Sequence, residues 1–378
     1  MRLVRLALWL GIAGFGGGFA VVQQLKGILV DREHRISNED FLESFAVATA
    51  LPGTPGTNLL TIIGVRLGGM LGGILSAAAF LLPSVLVMIA FGAIYAYVRN
   101  IATLAAFLDG MSVATVGVVA GVAVDIGRSS LKRTADWAIA AVAAAALIAH
   151  ALTLLEVIAI SGFCGALCLR PEVGPVEEPL AQRERPSKLG ALLFPAPLAT
   201  LSALPILALF VVFARIGLAT FGGGFAMIPA IEHEDVATRH WLSDSAFNDA
   251  IVLGQITPGP IAIAATFIGY RVARLSGALM ATIGMFTPPL VLSLFAGRSL
   301  KTFRGNVFVQ GALHGITPAM AGILAAAAVA LWRTSVHGIA TATIAIIAGL
   351  ILITTRRILP FFVLAAGGIV MLALTRFS

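Results

Sequence analysis

Two glycine runs and two Pro-Gly dipeptides are the residues of this chain best suited to binding a small anion. Residues 15–19 read FGGGF, and residues 221–225 repeat these five letters. Pro52-Gly53 and Pro258-Gly259 follow the two runs at equal distances. Glycine lets the backbone approach a ligand closely, and proline interrupts a helix because it lacks an N–H donor. A helix that restarts behind such a break presents free N–H groups, which bind anions.

The candidate substrate-binding residues lie in these runs and breaks or beside them. A single glycine run in a membrane helix is more often a packing surface, but its duplication together with the break favours binding. Thr49 and Gln255 occupy matching positions just before the breaks, where they could hydrogen-bond a substrate. The full set is Gly16, Gly17, Gly18, Thr49, Pro52, Gly53, Thr54, Thr57, Asn58, Arg66, Arg215, Gly222, Gly223, Gly224, Gln255, Thr257, Pro258, Gly259, Pro260 and Arg271.

The arginines of this set lie in apolar stretches, where charged residues are costly and usually functional. Arg66 and Arg271 are repeat partners, meaning that they stand at matching positions in the two copies of the pattern. Each follows a short helix, where it can either satisfy the last carbonyl groups or attract an anion, and the sequence leaves both roles open. Arg215 lies inside the apolar run 204–221 and has Trp9 as its repeat partner, which favours a role in binding.

Two acidic repeat partners, Glu43 and Asp249, are the candidates for carrying a proton. Both stand near the start of the short helix that precedes a break. An acid at a helix N-terminus is stabilised by the helix dipole, and this alone explains its presence there. The alternative hypothesis is that one of the two carries the proton that drives transport.

The spacing of these motifs shows that one sequence pattern occurs twice. The offset of 206 residues between the glycine runs also pairs Ser37 with Ser243 and Phe41 with Phe247. With slips of a single residue, the matches continue in the same order beyond the breaks. Chance would not preserve this order, so we predict that the chain arose by duplication.

The duplication predicts two homologous halves, residues 1–169 and 191–378, joined by a polar linker, residues 170–190. The linker is rich in proline and carries charges of both signs, which is typical of a flexible connection. Because its basic residues include Arg170 and Lys188, we place it in the cytoplasm.

Composition places the chain in a membrane. Its 378 residues are 59% hydrophobic and only 11% charged, and their mean hydropathy is +0.99. A soluble domain is about 25% charged, so lipid must solvate much of this surface. The formal net charge of +7 comes from basic residues clustered in short loops, as the positive-inside rule predicts, rather than from a nucleic-acid site.

Each half is predicted to begin with an apolar helix that ends at the glycine run, followed by a polar loop (residues 23–40 and 232–244). Two short apolar pieces follow in the first half, residues 41–51 and 57–66, with the Pro-Gly break between them. Each piece is about 16 Å long as a helix, too short to cross a core of about 30 Å. They therefore predict a re-entrant hairpin of two half-helices.

Full-length helices complete each half, in the first half near 70–98, 101–127, 134–150 and 152–169. The fold class is therefore an all-α polytopic membrane protein with about five spanning helices and a re-entrant hairpin in each half. An odd number of crossings would insert the second half upside down, so we predict an inverted repeat. Inverted repeats with broken helices are a common architecture of secondary transporters.

No set of residues points to an enzyme, a cofactor or a metal. The chain lacks metal-ligand spacing and a phosphate-binding loop that continues into Lys-Ser or Lys-Thr. The glycine run is not a dinucleotide site, because no strand precedes it. Without an ATP-binding motif on this chain, the energy for transport must come from an ion gradient or from a separate ATPase partner.

Several of these motifs together resemble the chromate ion transporter (CHR) superfamily, in its long form with two domains. The resemblance rests on Phe-Gly-Gly, a polar loop that ends in Ser37-x-x-x-Phe41, a Pro-Gly pair, and then Ile-Gly-x-Arg ending at Arg66, each duplicated. It covers nearly the whole chain. Two departures are Gly18, where family members often have proline, and Thr54-Pro55, where the second half has Pro260 directly after Pro-Gly.

The resemblance implies a multi-pass protein of the cell inner membrane that exports chromate, is driven by the proton gradient and confers chromate resistance. It also implies opposed topologies for the two halves. The family motif positions carried over to this chain are Gly16, Gly17, Pro52, Gly53, Gly222, Gly223, Pro258, Gly259 and Pro260. The implied partners are chromate or a sulfate-like oxyanion, protons and the lipid bilayer, and a homodimer is left open.

Three alternatives to chromate export remain open at this point. The first is transport of another oxyanion such as sulfate, which has the same tetrahedral shape and charge as chromate. The second is an uncoupled anion channel, which would dissipate a gradient rather than build one. The third, a membrane subunit without transport activity, is disfavoured because it would not need two duplicated broken helices.

Overall fold

The structure is a computed structural model that describes residues 2–14, 17–168, 205–221, 224–298, 307–355 and 360–377. Most of these residues are helical, and none of them forms a strand. The predicted linker, residues 170–190, and three of the candidate glycines (Gly16, Gly222 and Gly223) lie outside the described residues. The observed fold is therefore all-α, as the composition predicts.

In the part of the first half that the structure describes, there are seven α-helices and one π-helical turn. They are α1 (Arg2–Ala13), α2 (Gly17–Lys26), the π-helical turn (Gly27–Arg32), α3 (Asn38–Ala50), α4 (Pro55–Asn100), α5 (Ala102–Ser130), α6 (Thr134–Ile148) and α7 (Leu154–Cys168). Gly17 and Gly18 open α2 rather than lying in a loop.

The second half repeats this order among its described residues. It comprises α8 (Pro205–Ala219), a 3₁₀ turn (Phe225–Met227), α9 (Ile228–Ile231), a π-helical turn (Glu232–Thr238), α10 (Asp244–Ile256), a 3₁₀ turn (Ile261–Ile263), α11 (Ala264–Arg298), α12 (Val307–Ser335), α13 (Ile339–Thr354) and α14 (Pro360–Phe377). Each helix of the first half thus has a counterpart seven helices further along the chain.

The segment after each glycine run differs from the predicted polar loop. Residues 17–32 are helical, and so are residues 228–238. The reason is an apolar stripe at helical spacing: Val21, Leu25 and Leu29 are all buried, whereas Gln23 is exposed. The segment was predicted to be a loop because the polar residues on the outer face of this helix outweigh the apolar stripe in the sequence.

The predicted break between two short helices is present in the first half. Ser37 caps α3 by accepting a hydrogen bond from the N–H of Asp40, and the helix ends where Leu51 becomes extended. The chain restarts as α4 at Pro55, a residue well suited to a first helical position because its missing N–H has no partner there anyway. At 13 residues, α3 is about 20 Å long, which is too short to cross a bilayer core.

Helix α4 folds back on itself at Gly68 and Gly69. Gly69 has φ +65° and ψ −167°, a conformation that interrupts the helix and that glycine adopts without strain. A Cβ on Gly73 would lie 3.1 Å from the carbonyl oxygen of Thr61, whereas 12 residues of straight helix would span about 18 Å. Residues 55–67 are therefore a first arm, paired with α3, and residues 70–100 a long second arm.

Helix α11 has the same shape. Its break falls at Ala273 and Arg274, where Arg274 has φ +52°. Across this break the hydroxyls of Thr266 and Thr282 are 2.7 Å apart, although the two residues are 16 positions apart in sequence. Each half thus contains a short helix, a Pro-Gly break, a short arm that turns back and a long arm.

Within the described ranges, four helices are long and apolar enough to cross a membrane, by length and composition. They are Pro55–Asn100, Ala102–Ser130, Ile261–Arg298 and Gln310–Ser335, and shorter apolar helices accompany them. Helix α1, expected to be a full span, has 12 residues and is only about 18 Å long. The count of about five spanning helices per half therefore stays a prediction. The inverted repeat, which was predicted from an odd number of crossings, needs support from other observations.

The two halves pack against each other through small residues. Helix α4 lies along α11, α5 packs on α12, α13 and α14, and α12 packs in turn on α6 and α7. Gly165 of α7, for example, approaches Gly315 of α12 so closely that a Cβ would lie 2.7 Å from its Cα. Small side chains allow this close helix packing, so much of the remaining glycine content is structural.

Replacing Asn58 tests what holds the break together. Its side-chain amide donates to the carbonyl oxygens of Ala48 (3.1 Å) and Pro52 (2.8 Å), which end α3 and form the break. We expect Asn58→Ala to lower the free energy of unfolding by about 1–3 kcal/mol, because buried carbonyls lose their donor. Thermal unfolding of the detergent-solubilised protein measures this.

The matched control is Thr49→Ala, at the other polar position beside the same break. Thr49 is exposed and bonds only to carbonyls of its own helix, so its loss should change stability by no more than about 0.5 kcal/mol. Equal unfolding temperatures for the Asn58 variant and the wild type would contradict this account of the break.

Candidate functional site

Each Pro-Gly break is hydrogen-bonded to the end of the first helix of the other half. We call this arrangement the reciprocal crossing. The N–H of Gly53 donates to the carbonyl oxygen of Thr220 at the end of α8 (2.5 Å). The N–H of Gly259 donates to the carbonyl oxygen of Gly14 at the end of α1 (3.4 Å). Gly14 and Thr220 are themselves repeat partners, 206 residues apart. Each half therefore stabilises the broken backbone of the other.

Both break glycines are fixed by their conformation and by their surroundings. Gly53 has φ +102° and Gly259 has φ +115°, values that residues with a Cβ rarely adopt. A Cβ on Gly53 would lie 2.5 Å from the Cβ of Pro289, and one on Gly259 would overlap the hydroxyl of Ser84. Ser84 also donates to the carbonyl oxygen of Pro258 (2.5 Å), so α4 supports the second break.

Gly224, the last glycine of the second run, lies beside both breaks. Its φ is +98°. A Cβ on Gly224 would lie 3.6 Å from the side chain of Thr54 and 3.5 Å from that of Ile261. Thr54 belongs to the first break and Ile261 directly follows the second. Gly224 and the two breaks predicted to bind an anion thus lie together in the structure.

Several polar groups at the breaks are available to a ligand. The hydroxyls of Thr54 and Thr57 are 2.9 Å apart at the start of the first arm, and both residues are buried. Within the described part of the chain, the hydroxyl of Thr257 and the side-chain carbonyl of Gln255 are buried without a hydrogen-bond partner. Hydroxyls and the free N–H groups of a helix start suit an anion that has lost its water.

Three polar candidates have other partners in this conformation. Asn58 is occupied by the carbonyls at the end of α3, and Thr49 bonds to its own helix on an exposed face. Gln255 donates to the hydroxyl of Thr115 on α5 (3.2 Å). Thr49 and Gln255, matched in sequence, therefore differ in their contacts.

Arg66 joins the two ends of the first hairpin that lie away from the break. Its guanidinium binds the carboxylate of Asp40 and donates to the hydroxyl of Ser44 (3.0 Å). Hydrogen bonding from Ser37, then the neighbouring Arg66, lowers the pKa of the exposed Asp40 carboxyl. Of the two roles left open by the sequence, this geometry favours the structural one for Arg66.

Arg271, the repeat partner of Arg66, makes a different contact. Its guanidinium carbon lies 4.9 Å from the ring centroid of Tyr95, which is a cation–π distance. The edge of the same ring meets Phe267, with ring centroids 5.2 Å apart. Arg271 therefore joins a cluster on the long arm of α4 rather than closing a hairpin.

Asp249 lies at the centre of that cluster. Its side chain is fully buried, and one oxygen accepts hydrogen bonds from the Tyr95 hydroxyl (2.6 Å) and from Nε of Arg99 (2.7 Å). The other oxygen has no partner among the described residues. Arg99 continues the network by donating to Asp109 (2.7 Å). A buried carboxylate needs such a cation, because isolated burial of its charge is very costly.

Glu43, the repeat partner of Asp249, has no comparable environment. Its carboxylate is partly exposed, and its nearest cation, Arg66, is 3.8 Å away. The two acids that were equivalent in sequence are therefore distinct in the structure, and the buried one is the stronger candidate for a proton-carrying residue.

A cavity of about 540 Å³ opens beside the Asp249 cluster. It is lined by the beginning of α5, including Asp109 and Ser112, and by the end of α12, including Thr334 and Ser335. The hydroxyls of Ser112 and Ser335 are buried without a partner in the described residues. This cavity, which we call the Arg99 cavity, also has residues of α10 in its lining.

Arg215 lines a second cavity, of about 300 Å³, between the α6–α7 connection and the start of the second half. We call it the Arg215 cavity. Ala219, which also lines it, directly precedes Thr220, which binds Gly53 at the crossing. Arg215 gives the cavity a positive charge.

Sequence reasoning missed several residues of these sites. Tyr95 and Arg99 were not singled out, because they belong to the first half and bind an acid of the second. Ser84 was missed because a serine in a long apolar helix carries no recognisable pattern. The offset of 206 residues does relate Gly14 to Thr220, but these residues differ and act through their backbones, so no side-chain signal marks them.

Comparison with known proteins gives consistent matches. A family model described as chromate transporter matches residues 1–167 and, separately, residues 207–372. The chain is 33% identical to a probable chromate transport protein of Synechococcus elongatus, over 92% of this chain and 88% of that protein. It is 28% identical to a chromate transport protein of Cupriavidus metallidurans, over 98% of this chain and 92% of that protein.

A chromate transport protein of Pseudomonas aeruginosa is 29% identical, over 91% of this chain and 83% of that protein. No solved structure matches the chain. The family resemblance read from the motifs is thereby confirmed, and it extends over both halves.

Removing the charge of Arg99 tests the Asp249 cluster. Arg99→Gln would leave Asp249 buried without a cation, and we expect it to lower the free energy of unfolding by about 3–5 kcal/mol. The double variant Arg99→Gln/Asp249→Asn removes both charges and should recover most of this loss. Thermal unfolding of the three proteins in detergent checks both statements.

The control for this experiment is Arg35→Gln, which breaks an exposed ion pair with Glu33 (3.8 Å) and should cost no more than about 1 kcal/mol. A double variant less stable than Arg99→Gln alone would show that the buried pair does not act as described.

Proposed function

The chain belongs to the chromate transporter family, and from this premise we propose that it exports chromate from the cytoplasm across the inner membrane and so confers chromate resistance. The family is one of transporters, and the apolar helices make the chain a multi-pass membrane protein. The observation that carries the proposal is the reciprocal crossing of the two Pro-Gly breaks.

We propose further that residues 1–169 and 191–378 are homologous halves in an inverted repeat, joined by a cytoplasmic linker, residues 170–190. The separate family matches to the two parts support the homology. The Arg99 cavity supports the inversion, because the beginning of α5 lies there beside the end of its repeat partner α12. Partners that run in opposite directions are what an inverted repeat requires.

Substrate would bind at the crossing of the breaks. Chromate is a tetrahedral dianion, so it needs several donors around it to replace its water. The first turn of the arm that begins at Pro55 offers N–H groups and the positive end of a helix dipole. The hydroxyls of Thr54, Thr57 and Thr257 lie at the same breaks, while Arg215 attracts the anion into its cavity.

Coupling to the proton gradient would use Asp249, with Glu43 as the weaker candidate. Full burial, together with one oxygen that has no partner in the described residues, supports Asp249, because gaining a proton would neutralise a costly buried charge. The Arg99 cavity would bring protons to this side of the bundle. Protonation of Asp249 would weaken its attraction to Arg99 and so loosen the contact between α4 and α10.

Transport of a sulfate-like oxyanion is the alternative substrate assignment. The N–H groups and hydroxyls at the breaks recognise shape and charge, and sulfate shares both with chromate. The uncoupled anion channel is the alternative of another class, and the buried Asp249 cluster favours a coupled transporter over it. Both alternatives are separated from chromate export by uptake experiments in vesicles.

Uptake into inverted membrane vesicles tests both function and coupling. We expect vesicles that contain this chain to accumulate chromate when a proton gradient is imposed, and an uncoupler to abolish the accumulation. The variant Glu43→Gln/Asp249→Asn should lose the gradient-dependent part. Suppression of chromate uptake by excess sulfate would report the breadth of selectivity.

Chromate uptake that only equilibrates across the membrane, whether or not a gradient is present, would identify a channel. Vesicles that contain intact protein and take up no chromate would refute chromate as the substrate. The single variants Glu43→Gln and Asp249→Asn then separate the two acids, and we expect only Asp249→Asn to reproduce the double variant.

The break glycines should be indispensable for uptake. Gly53→Ala and Gly259→Ala each force a Cβ into a position that is already filled and a backbone that disfavours it, so uptake should fall at least about tenfold. Gly27→Ala is the matched control, because a Cβ there meets open space. If both break variants take up chromate at a near-normal rate and at equal protein levels, the crossing is not the site of substrate binding.

A further inference from the structure

Two histidines face each other at the rim of the Arg215 cavity. Nδ1 of His150 lies 3.1 Å from Nδ1 of His233, and the rings are stacked with centroids 5.0 Å apart. His150 follows α6 with φ +53°, and His233 belongs to the π-helical turn of the second half. This contact therefore bridges the two halves at the cavity.

The geometry of the pair limits how many protons it can hold. An Nδ1···Nδ1 hydrogen bond needs one nitrogen with a proton and one with a free lone pair. If both imidazoles are cationic with a proton on each Nδ1, the hydrogen bond becomes a repulsion between like charges. An ordinary imidazole titrates at about pH 6.5, within the range that a membrane protein meets.

Three acidic groups lie near the pair, and two of them already have hydrogen-bond or ion-pair partners. Glu156 on α7 accepts hydrogen bonds from the N–H of Thr153 (2.7 Å) and from its hydroxyl (3.0 Å). Glu234 pairs with Arg239 (3.2 Å). Asp235, next in the chain, is fully buried, and burial raises the pKa of its carboxyl well above the usual range.

Arg215 supplies the fixed positive charge of the cavity. Glu156 is near enough to interact with it electrostatically, but among the described residues no carboxylate forms an ion pair with Arg215. An arginine directed into a cavity without a bound acid suits a tetrahedral oxyanion, because its planar fork of donors matches two oxygens. The His150–His233 pair lines the same cavity and can add further positive charge.

We propose that the Arg215 cavity binds a tetrahedral oxyanion between Arg215 and the His150–His233 pair, and that the pair takes up protons as the anion binds. The inference rests on the proposed oxyanion transport and adds a second, proton-linked site outside the breaks. Ala219, which lines this cavity, directly precedes Thr220, whose carbonyl oxygen accepts the hydrogen bond from Gly53 at the crossing.

Proton uptake and anion binding are coupled because the negative charge of the anion and the positive charge of the protonated histidines attract each other. A dianion within a few ångströms of the imidazoles stabilises their cationic forms and offsets the repulsion between them. By reciprocity, protonation of the pair must strengthen anion binding by the same factor. The anion then arrives at the breaks already accompanied by protons.

Sulfate binding to the purified full-length protein, measured by isothermal titration calorimetry, tests the proposal. Sulfate stays a dianion throughout, so any pH dependence belongs to the protein. We expect binding about tenfold tighter at about pH 5.5 than at about pH 7.5, on either side of the ordinary imidazole pKa. Titrations in two buffers that differ in ionisation enthalpy should show that sulfate binding is accompanied by proton uptake.

Two variants separate the roles of the cavity residues. His150→Gln/His233→Gln should bind sulfate with the same affinity at both pH values, within about twofold of the wild type at the higher one. Arg215→Gln should weaken binding about tenfold at both pH values. His314→Gln is the control, because His314 is exposed on α12 and does not line this cavity.

Wild-type binding that is independent of pH, or a double histidine variant that keeps the pH dependence, would overturn the proposal. The vesicle experiment distinguishes this failure from failure of the proposed function. Chromate uptake with pH-independent sulfate binding refutes the histidine site alone. Proton-linked sulfate binding in a protein that moves no chromate leaves the histidine site standing and refutes chromate export.

Discussion

The hydrogen bonds of the broken backbone are the constraint on which this structure depends. Irregular backbone at membrane depth must be satisfied by protein, because lipid offers no partners. Here the amide of Gly53 reaches α8 and that of Gly259 reaches α1, so neither half can complete its own break. The side chain of Asn58 satisfies the carbonyls left at the end of α3. Because backbone groups make these hydrogen bonds, the helix starts at the breaks are held in place without bulky side chains between them.

A duplicated scaffold does not imply duplicated chemistry. The first half uses Asn58 to secure its break, whereas Ala264 stands at the matching position and Ser84 supports the second break from α4. Asp249 is buried against Arg99, but its partner Glu43 remains partly exposed. The backbone geometry of the crossing is thus shared, while the charged residues have become specialised. Such asymmetry suits a transporter whose two faces meet different concentrations of substrate and protons.

Much of the architecture could be predicted because it is encoded locally. The offset of 206 residues predicted a duplication, which the separate family matches support, and the Pro-Gly pairs between short apolar pieces predicted the observed helix breaks. The helix after each glycine run was missed because its polar face dominates the sequence. The surroundings of Asp249 could not be foreseen, since Tyr95 and Arg99 approach from the other half. Arg66 and Arg271 show the same limit: identical residues at matched positions acquired different partners through tertiary packing.

The central claim is that an oxyanion binds where the breaks cross, and an experimental structure with chromate bound tests it most directly. Single-particle cryo-electron microscopy of the protein in lipid nanodiscs with saturating chromate would locate the anion. The account predicts density for a tetrahedral anion within hydrogen-bonding distance of the first turn of the arm at Pro55 and of the break at Gly259. Breaks that remain closed and unoccupied, with chromate bound only elsewhere, would contradict it.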